Sequence, residues 1–229
     1  MMYNQNMLYY ILAFKDMLPP ITLFAFTIAY CIAVLFAISF HELAHGYVAY
    51  KAGDLTAKSQ GRLSLNPFKH IDGWGALCFL LIGFGWAKPV QINPLKFRNY
   101  KRDMLKVSLA GVTTNFSIAF LLSPLNYFFG PSLFSSSNVF LNFLGFLIQM
   151  SIIVNLSLFA FNLIPCYPLD GFNFIKTFLS EENRFVQFMY RYGSLILMLI
   201  IITPVFDWVY SAITGGFLEL FSMFWGLFG

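Results

Sequence analysis

Two histidines and a glutamate form the strongest chemical pattern in the chain. His41, Glu42 and His45 spell H-E-x-x-H. On a helix, residues i and i+4 share one face, so the two imidazoles can bind one zinc ion while Glu42 lies beside them to move a proton. A shuffled chain of this composition would contain the pattern about once in 1,500 sequences, so chance is a weak explanation. The pattern predicts a zinc site that activates water for hydrolysis.

A catalytic zinc site needs a third protein ligand and one open position for water. Asp170 is the first candidate, because it is an isolated acid just past a predicted helix that Pro165 and Pro168 end. Cys166 is the competing candidate, since a thiolate also binds zinc well. A carboxylate leaves the metal more Lewis-acidic, which favours Asp170. The Pro-Leu-Asp-Gly sequence is also typical of a plain turn.

Other polar residues of the apolar segments have less specific interpretations. His70 lies in a basic loop and is predicted at the surface or the membrane interface, without a metal. Asn162 either binds substrate or makes an interhelical hydrogen bond, and the sequence leaves both open. For Asn115 and Asn155, hydrogen bonding between helices is favoured.

Composition places these residues in a membrane protein. Of the 229 residues, 59% are hydrophobic and 10% are charged, whereas soluble domains carry about 25% charged residues. The excess apolar surface must face lipid. Ten of the fourteen Lys and Arg residues lie between positions 51 and 106, which is typical of a cytoplasmic loop and not of a nucleic-acid surface. The three cysteines are expected to be reduced.

Hydropathy predicts an all-α polytopic membrane protein with a core of three transmembrane helices, flanking helices and a small membrane-associated β element. Apolar segments of about twenty residues or more can cross the bilayer. The apolar segment 76–84 is too short for this, and Gly, Asn and Pro residues around it indicate a hairpin or re-entrant structure. Two interpretations fit the sequence beyond residue 193. This part forms either one tilted span with an amphipathic tail or two short elements. The predicted transmembrane spans are 21–50, 104–129 and 139–164. The chain is predicted to divide into an interfacial segment 1–20, a membrane core 21–171, and a C-terminal part 172–229 with a cytoplasmic loop, a span and a tail.

Charge predicts the orientation of the chain in a cell membrane. If the basic loop 51–106 is cytoplasmic, the uncharged connector near residue 131 is external and the loop after residue 166 is cytoplasmic again. The histidine pair and Asp170 then arrive at the same depth, on the cytoplasmic side of the bilayer. The sequence indicates no oligomeric state.

The motifs resemble the site-2 protease family of intramembrane zinc metalloproteases. H-E-L-A-H matches the first family signature, and Asn162, Pro165 and Asp170 match the second, N-x-x-P-x-x-x-x-D-G. G-R-L-S-L-N-P-F-K-H-I-D and G-F-G-W-A-K-P-V-Q-I-N-P resemble the compact bacterial branch without PDZ or CBS domains. Gly111 and Asn115 fit its G-x-x-x-N. At positions 112 and 172 the chain has Val and Phe, which differ from the residues that this branch commonly has at those positions.

The resemblance implies one zinc ion with a bound water, held by His41, His45 and Asp170. Glu42 would act as general base and then as general acid. The implied partners are the lipid bilayer and a membrane-protein substrate, cut within or next to a transmembrane segment. The segment 83–90 would present a strand edge to an extended substrate, or form a plain re-entrant turn. A non-proteolytic zinc scaffold or ion carrier is the alternative, although neither needs a proton-handling carboxylate beside the metal.

Overall fold

The computed structural model describes residues 19–75, 78 and 86–229, without the side chains of 204–207. Most of this part is helical. Asn99, Asn138 and Asn183 each begin a long helix by accepting a hydrogen bond from a backbone N–H of its first turn, as asparagine commonly does at this position. The helices are α1 Pro20–Ala52, α2 Thr56–Ser59, α3 Tyr100–Phe134, α4 Val139–Asn162, α5 Asp170–Lys176, α6 Arg184–Ile202 and α7 Pro204–Trp225.

Four of the described helices, α1, α3, α4 and α6, are long and apolar enough to cross a membrane. The predicted polytopic helical fold is therefore confirmed. The predicted spans 21–50 and 104–129 lie within α1 and α3, and α4 covers the third predicted span, 139–164, except for its last two residues. The C-terminal part divides at Thr203, where α6 ends and Pro204 begins α7. Proline removes a backbone donor and fits the first turn of a helix, so this division follows from the sequence.

Helices α1, α3 and α4 pack against one another and form the core around the two sequence motifs. Tyr30 and Ala33 of α1 pack against Met150 and Val154 of α4. Helix α7 lies on the other side of α4 and covers Ile152 with Phe221. The Trp225 indole donates a hydrogen bond of 2.7 Å to Ser123 Oγ and ties α7 to α3.

No named strand occurs among the described residues, so the predicted β element is not shown. Ile71 and Ala87 form one isolated antiparallel bridge, and most of the predicted hairpin, like the interfacial segment near the N-terminus, lies outside the described residues. The extended chain after Ala87 is held by carboxylates instead of a neighbouring strand. Glu42 accepts a hydrogen bond from the N–H of Val90, and Asp54 accepts one from the N–H of Asn93, both at 2.7 Å.

Asp54 is fully buried immediately after α1. Burial raises its pKa, but hydrogen bonds from the N–H of Asn93 and from Thr56 outweigh that effect and leave the pKa below its ordinary value. Asp54 is therefore an ionised anchor that ties the extended segment to the end of α1.

The prediction that His70 lies at a surface is wrong, because its side chain is fully buried. Its Nε2 lies 2.7 Å from the carbonyl oxygen of Ser64, and its own carbonyl accepts a hydrogen bond from the N–H of Lys88. The Arg62 guanidinium donates to the carbonyls of Lys88 and Pro89. The basic loop thus folds onto the start of the extended segment, and these contacts position Val90 beside Glu42.

Candidate metal centre

Three ligand atoms from distant parts of the chain converge between α1 and α5. The Nε2 atoms of His41 and His45 lie 3.0 Å apart. Oδ2 of Asp170 lies 3.3 Å from the first and 3.0 Å from the second. Among the described residues, these three form the one cluster of His, Cys, Asp and Glu side chains with metal-binding geometry.

The triangle of ligand atoms fits a zinc ion. In tetrahedral coordination with ligand distances of about 2.0–2.2 Å, neighbouring ligand atoms lie about 3.3 Å apart. The observed separations of 3.0–3.3 Å match this value. Asp170 Oδ2 is buried and has no hydrogen-bond partner among the described residues. A buried carboxylate oxygen facing two imidazole nitrogens is well explained by a cation shared among them.

Hydrogen bonds at the far side of each ring set the orientation of both imidazoles. His41 Nδ1 lies 2.6 Å from Oδ1 of Asn115, and His45 Nδ1 lies 2.8 Å from the carbonyl oxygen of Val107. An amide oxygen and a carbonyl oxygen can only accept, so each Nδ1 carries its proton. Each Nε2 therefore directs a lone pair at the cluster, as zinc binding requires.

Asn115 links the metal-binding face to the third helix of the core. Its Nδ2 donates to Oδ1 of Asn155 at 2.7 Å and lies 3.4 Å from the carbonyl oxygen of Ala37. Asn155 in turn donates to the carbonyl of Ser151. The network joins α1, α3 and α4 through buried, satisfied amides, which rigidifies a site in a low-dielectric interior. Asn115 therefore makes the predicted hydrogen bond between helices and also orients His41.

Asp170 reaches the histidines because the chain turns back sharply after α4. It is the first residue of α5, and Gly171 lies against the backbone of the preceding loop. A Cβ at position 171 would meet the carbonyl oxygens of Leu163 and Ile164 at 2.4 and 2.6 Å. A carboxylate binds a metal in its ionised form, so Asp170 would be ionised as a metal ligand.

Glu42 borders the same cavity, which has a volume of about 400 Å³. Its Oε2 accepts the hydrogen bond from the N–H of Val90, which fixes the carboxylate while leaving Oε1 as an acceptor. Asn162 also lines the cavity and donates one amide hydrogen bond to the carbonyl of Leu158 at 3.0 Å. Both side chains therefore border the space next to the metal-binding triangle.

Cys166 lies outside the cluster. Its Sγ is 3.2 Å from the carbonyl oxygen of Gly193, and the residue packs against Leu169 and Leu197. Burial raises the pKa of the Cys166 thiol, with a smaller opposing effect of the backbone at Leu197. A neutral, packed thiol is a poor metal ligand.

Gly111 allows α3 to approach the two imidazoles. A Cβ at this position would lie 2.4 Å from Cε1 of His41 and from Nε2 of His45. We expect Gly111→Ala to displace the rings and to lower zinc affinity by about tenfold to a hundredfold, the usual effect of disturbing the groups that orient metal ligands. Competition with a chromogenic chelator on the purified protein measures this affinity.

Gly130→Ala is the matched control on the same helix. Its Cβ would approach only the flexible Asn126 side chain, at 3.3 Å, and we expect wild-type zinc affinity. Equal zinc affinity of Gly111→Ala and Gly130→Ala would contradict the close approach of α3 to the metal ligands.

Comparison with known proteins assigns the family. The chain is 38% identical over 183 residues to a Bacillus subtilis protein with the name "Putative zinc metalloprotease YwhC", covering 78% of this chain and 82% of that protein. The model of Peptidase family M50 matches residues 132–200, which include Asp170. The chain belongs to peptidase family M50.

Further relatives agree with this membership. A Mycolicibacterium smegmatis protein with the name "Putative zinc metalloprotease Rip2" is 27% identical over 186 residues. These residues cover 78% of this chain and 69% of that protein. Zinc metalloprotease MJ0392 of Methanocaldococcus jannaschii is 28% identical over 160 residues, 68% of this chain and 37% of that protein. No solved structure matches the chain. As an M50 peptidase, the protein is an intramembrane zinc metalloprotease, and a non-proteolytic zinc scaffold or ion carrier is not favoured.

Proposed function

We propose that His41, His45 and Asp170 hold the catalytic zinc and that Glu42 moves the protons of peptide hydrolysis. The convergence of the three ligand atoms beside Glu42, in one cavity, carries this proposal. When bound, zinc supplies a Lewis acid that polarises the scissile carbonyl and makes a coordinated water more acidic.

Glu42 acts in both halves of the reaction. Its Oε1 accepts a proton from the attacking water, and the same carboxyl group then donates the proton to the leaving amine nitrogen. The Val90 N–H keeps the other oxygen of Glu42 in place throughout. The polarised carbonyl accepts the attack while Asn115 and the carbonyl of Val107 keep the two imidazoles in place.

Asn162 binds the substrate backbone next to the scissile bond. It lines the cavity, and its bond to Leu158 uses one of its two N–H groups. The other N–H and the carbonyl oxygen can pair with a peptide group of the substrate. Asn162 thereby orients the peptide bond that is cut.

The extended segment that carries Val90 presents an edge to the substrate. The side chains of Glu42 and Asp54 bind this segment at two points, and no described strand pairs with it. A substrate that has left its helical conformation needs partners for its exposed peptide groups, and strand addition at this edge supplies them. The small β element would then form between this extended segment and the substrate, which is a segment of a membrane protein within or next to the bilayer.

The proposed division of the chain is an interfacial segment 1–20, a catalytic core 21–171 and a C-terminal part 172–229. The active site opens toward the cytoplasm, because the basic loop 51–106 lies at the same end of the core as the metal ligands. We expect Lys58 and Lys101 to be cytoplasmic and Ser135 to be external. All three side chains are exposed.

Cysteine labelling in sealed cells tests this orientation. In a background without native cysteines, an impermeant maleimide is expected to label a cysteine at position 135 and to leave positions 58 and 101 unlabelled until the cells are opened. Labelling at position 58 in intact cells would reverse the orientation and place the zinc near the outer face.

Proteolysis is tested with the full chain reconstituted in liposomes with single-span membrane proteins. We expect zinc-dependent cleavage within or next to the span, which a chelator abolishes and added zinc restores. Cleavage that persists after complete zinc removal would contradict the proposed role of the metal.

A further inference from the structure

A lysine forms part of the wall of the catalytic cavity, at the end of the short helix that begins with Asp170. Lys176 is the one Lys or Arg among the described residues that line the cavity. The acidic residues of the lining are Glu42 and Asp170. With a divalent zinc ion in place, the formal charge of the lining is positive, and an acidic group that enters the cavity would compete with Glu181 for Lys176.

The ammonium group of Lys176 is held in place but retains binding capacity. It donates to Oε1 of Glu181 at 2.9 Å and to the hydroxyl of Tyr190, and it lies 5.1 Å from the centre of the Tyr190 ring. An ammonium group has three N–H donors, and these contacts use two of them. Burial lowers the pKa of Lys176, but hydrogen bonds with Tyr190 and Glu181 outweigh that effect and raise it, so the side chain is charged at neutral pH.

Glu181 is a replaceable partner for this lysine. Its side chain is 64% exposed, whereas that of Lys176 is 16% exposed. An ion pair with one solvated partner contributes little to stability, so exchanging Glu181 for another carboxylate costs little. A carboxylate that enters the cavity would meet the same ammonium group in a less solvated place, where charge-assisted hydrogen bonds are stronger.

We propose that Lys176 determines substrate specificity by binding an acidic side chain of the substrate, two to four residues from the scissile bond. This inference depends on the proposed function. Lys176 lies six residues after Asp170 on one helix, which corresponds to about 9 Å along the helix axis. An extended substrate covers about 3.3 Å per residue, so 9 Å corresponds to about three residues.

A matched set of substrates tests this inference. In a cleavable single-span substrate, each of positions two to four on both sides of the scissile bond is changed in turn to Asp and to Asn. We expect the wild-type protein to cleave the Asp version at one of these positions with a kcat/KM about tenfold higher than the Asn version, as one charge-assisted hydrogen bond provides. We expect Lys176→Glu to reverse this preference in favour of Asn at that position.

Lys58→Glu is the control for the change in net charge. Lys58 is exposed, interacts with Tyr50 and does not line the cavity, so we expect this variant to keep the wild-type preference. If Lys176→Glu does not accumulate in the membrane, Lys176→Gln provides the same test: the preference for Asp disappears while cleavage of the Asn substrate remains.

Three results would contradict the inference. Equal cleavage of all Asp and Asn substrates by the wild type, or an unchanged preference in the Lys176 variants, would overturn it while leaving the proposed protease intact. If the Lys176 variants lost cleavage of the Asp and Asn substrates to the same extent, Lys176 would serve only to fix α5 to α6. That result would also overturn the inference. Failure of the wild type to cleave the parent substrate would instead overturn the proposed function, and this inference with it.

Discussion

Replacement of Glu42 by glutamine is expected to abolish proteolysis while zinc remains bound. An amide has no basic oxygen that can take the proton of water, although both imidazoles and Asp170 are unchanged. General acid–base groups typically contribute a factor of about 10²–10⁴ to the rate, so we expect a loss of at least about a hundredfold. Cleavage rates and zinc content of the purified Glu42→Gln and wild-type proteins, measured side by side, check this expectation.

Two outcomes would contradict this role of Glu42. Cleavage by Glu42→Gln at more than about a few per cent of the wild-type rate would mean that another group moves the proton. Loss of zinc in the variant would make Glu42 a structural residue of the metal site. Glu219→Gln is a suitable control, because Glu219 is an exposed acid on α7 and does not line the cavity. It should keep both activity and zinc.

Removal of Asp170 is expected to abolish activity and to weaken zinc binding. Its Oδ2 is the third corner of the ligand triangle, so Asp170→Ala would leave two imidazoles and an incomplete site. Removing a ligand directly lowers the binding free energy of the metal. Cys166→Ser is the matched control four residues earlier in the chain, and we expect it to retain zinc and activity.

Metal analysis and proteolysis assays on the two variants separate the candidate ligands. An inactive, zinc-free Cys166→Ser together with an active Asp170→Ala would reverse the assignment. Because Cys166 packs against Leu169 and Leu197, a thermal unfolding measurement on Cys166→Ser distinguishes loss of a ligand from loss of packing.

The candidate site residues could be found in the sequence because their types and spacing are specific. A helix places His41 and His45 on one face at a spacing of four residues, whatever the rest of the fold does. Asp170 was identifiable as an isolated acid at the end of a span. The helical membrane fold followed from long apolar segments, since an apolar chain in lipid must satisfy its backbone internally.

The groups that position these residues had weaker signals. Asn115 contacts His41 across 74 positions of sequence, and an asparagine in an apolar helix is equally typical of packing between helices. Val107 contributes its backbone carbonyl and Glu42 binds a backbone N–H, and backbone groups have no sequence signature. His70 was misplaced because a basic loop indicates exposure, whereas local backbone contacts bury this side chain. The G-x-x-x-N pattern of Gly111 and Asn115 matches the middle helix of the family core, but it does not by itself predict the close approach of α3 to His41 and His45.

X-ray absorption at the zinc edge of the purified wild-type protein tests most directly the claim that two histidines and Asp170 hold the catalytic metal. We predict a first shell of nitrogen and oxygen only, at about 2.0–2.2 Å, with the outer-shell scattering of two imidazole rings. A sulfur scatterer at about 2.3 Å, or a shell without imidazole, would contradict this assignment.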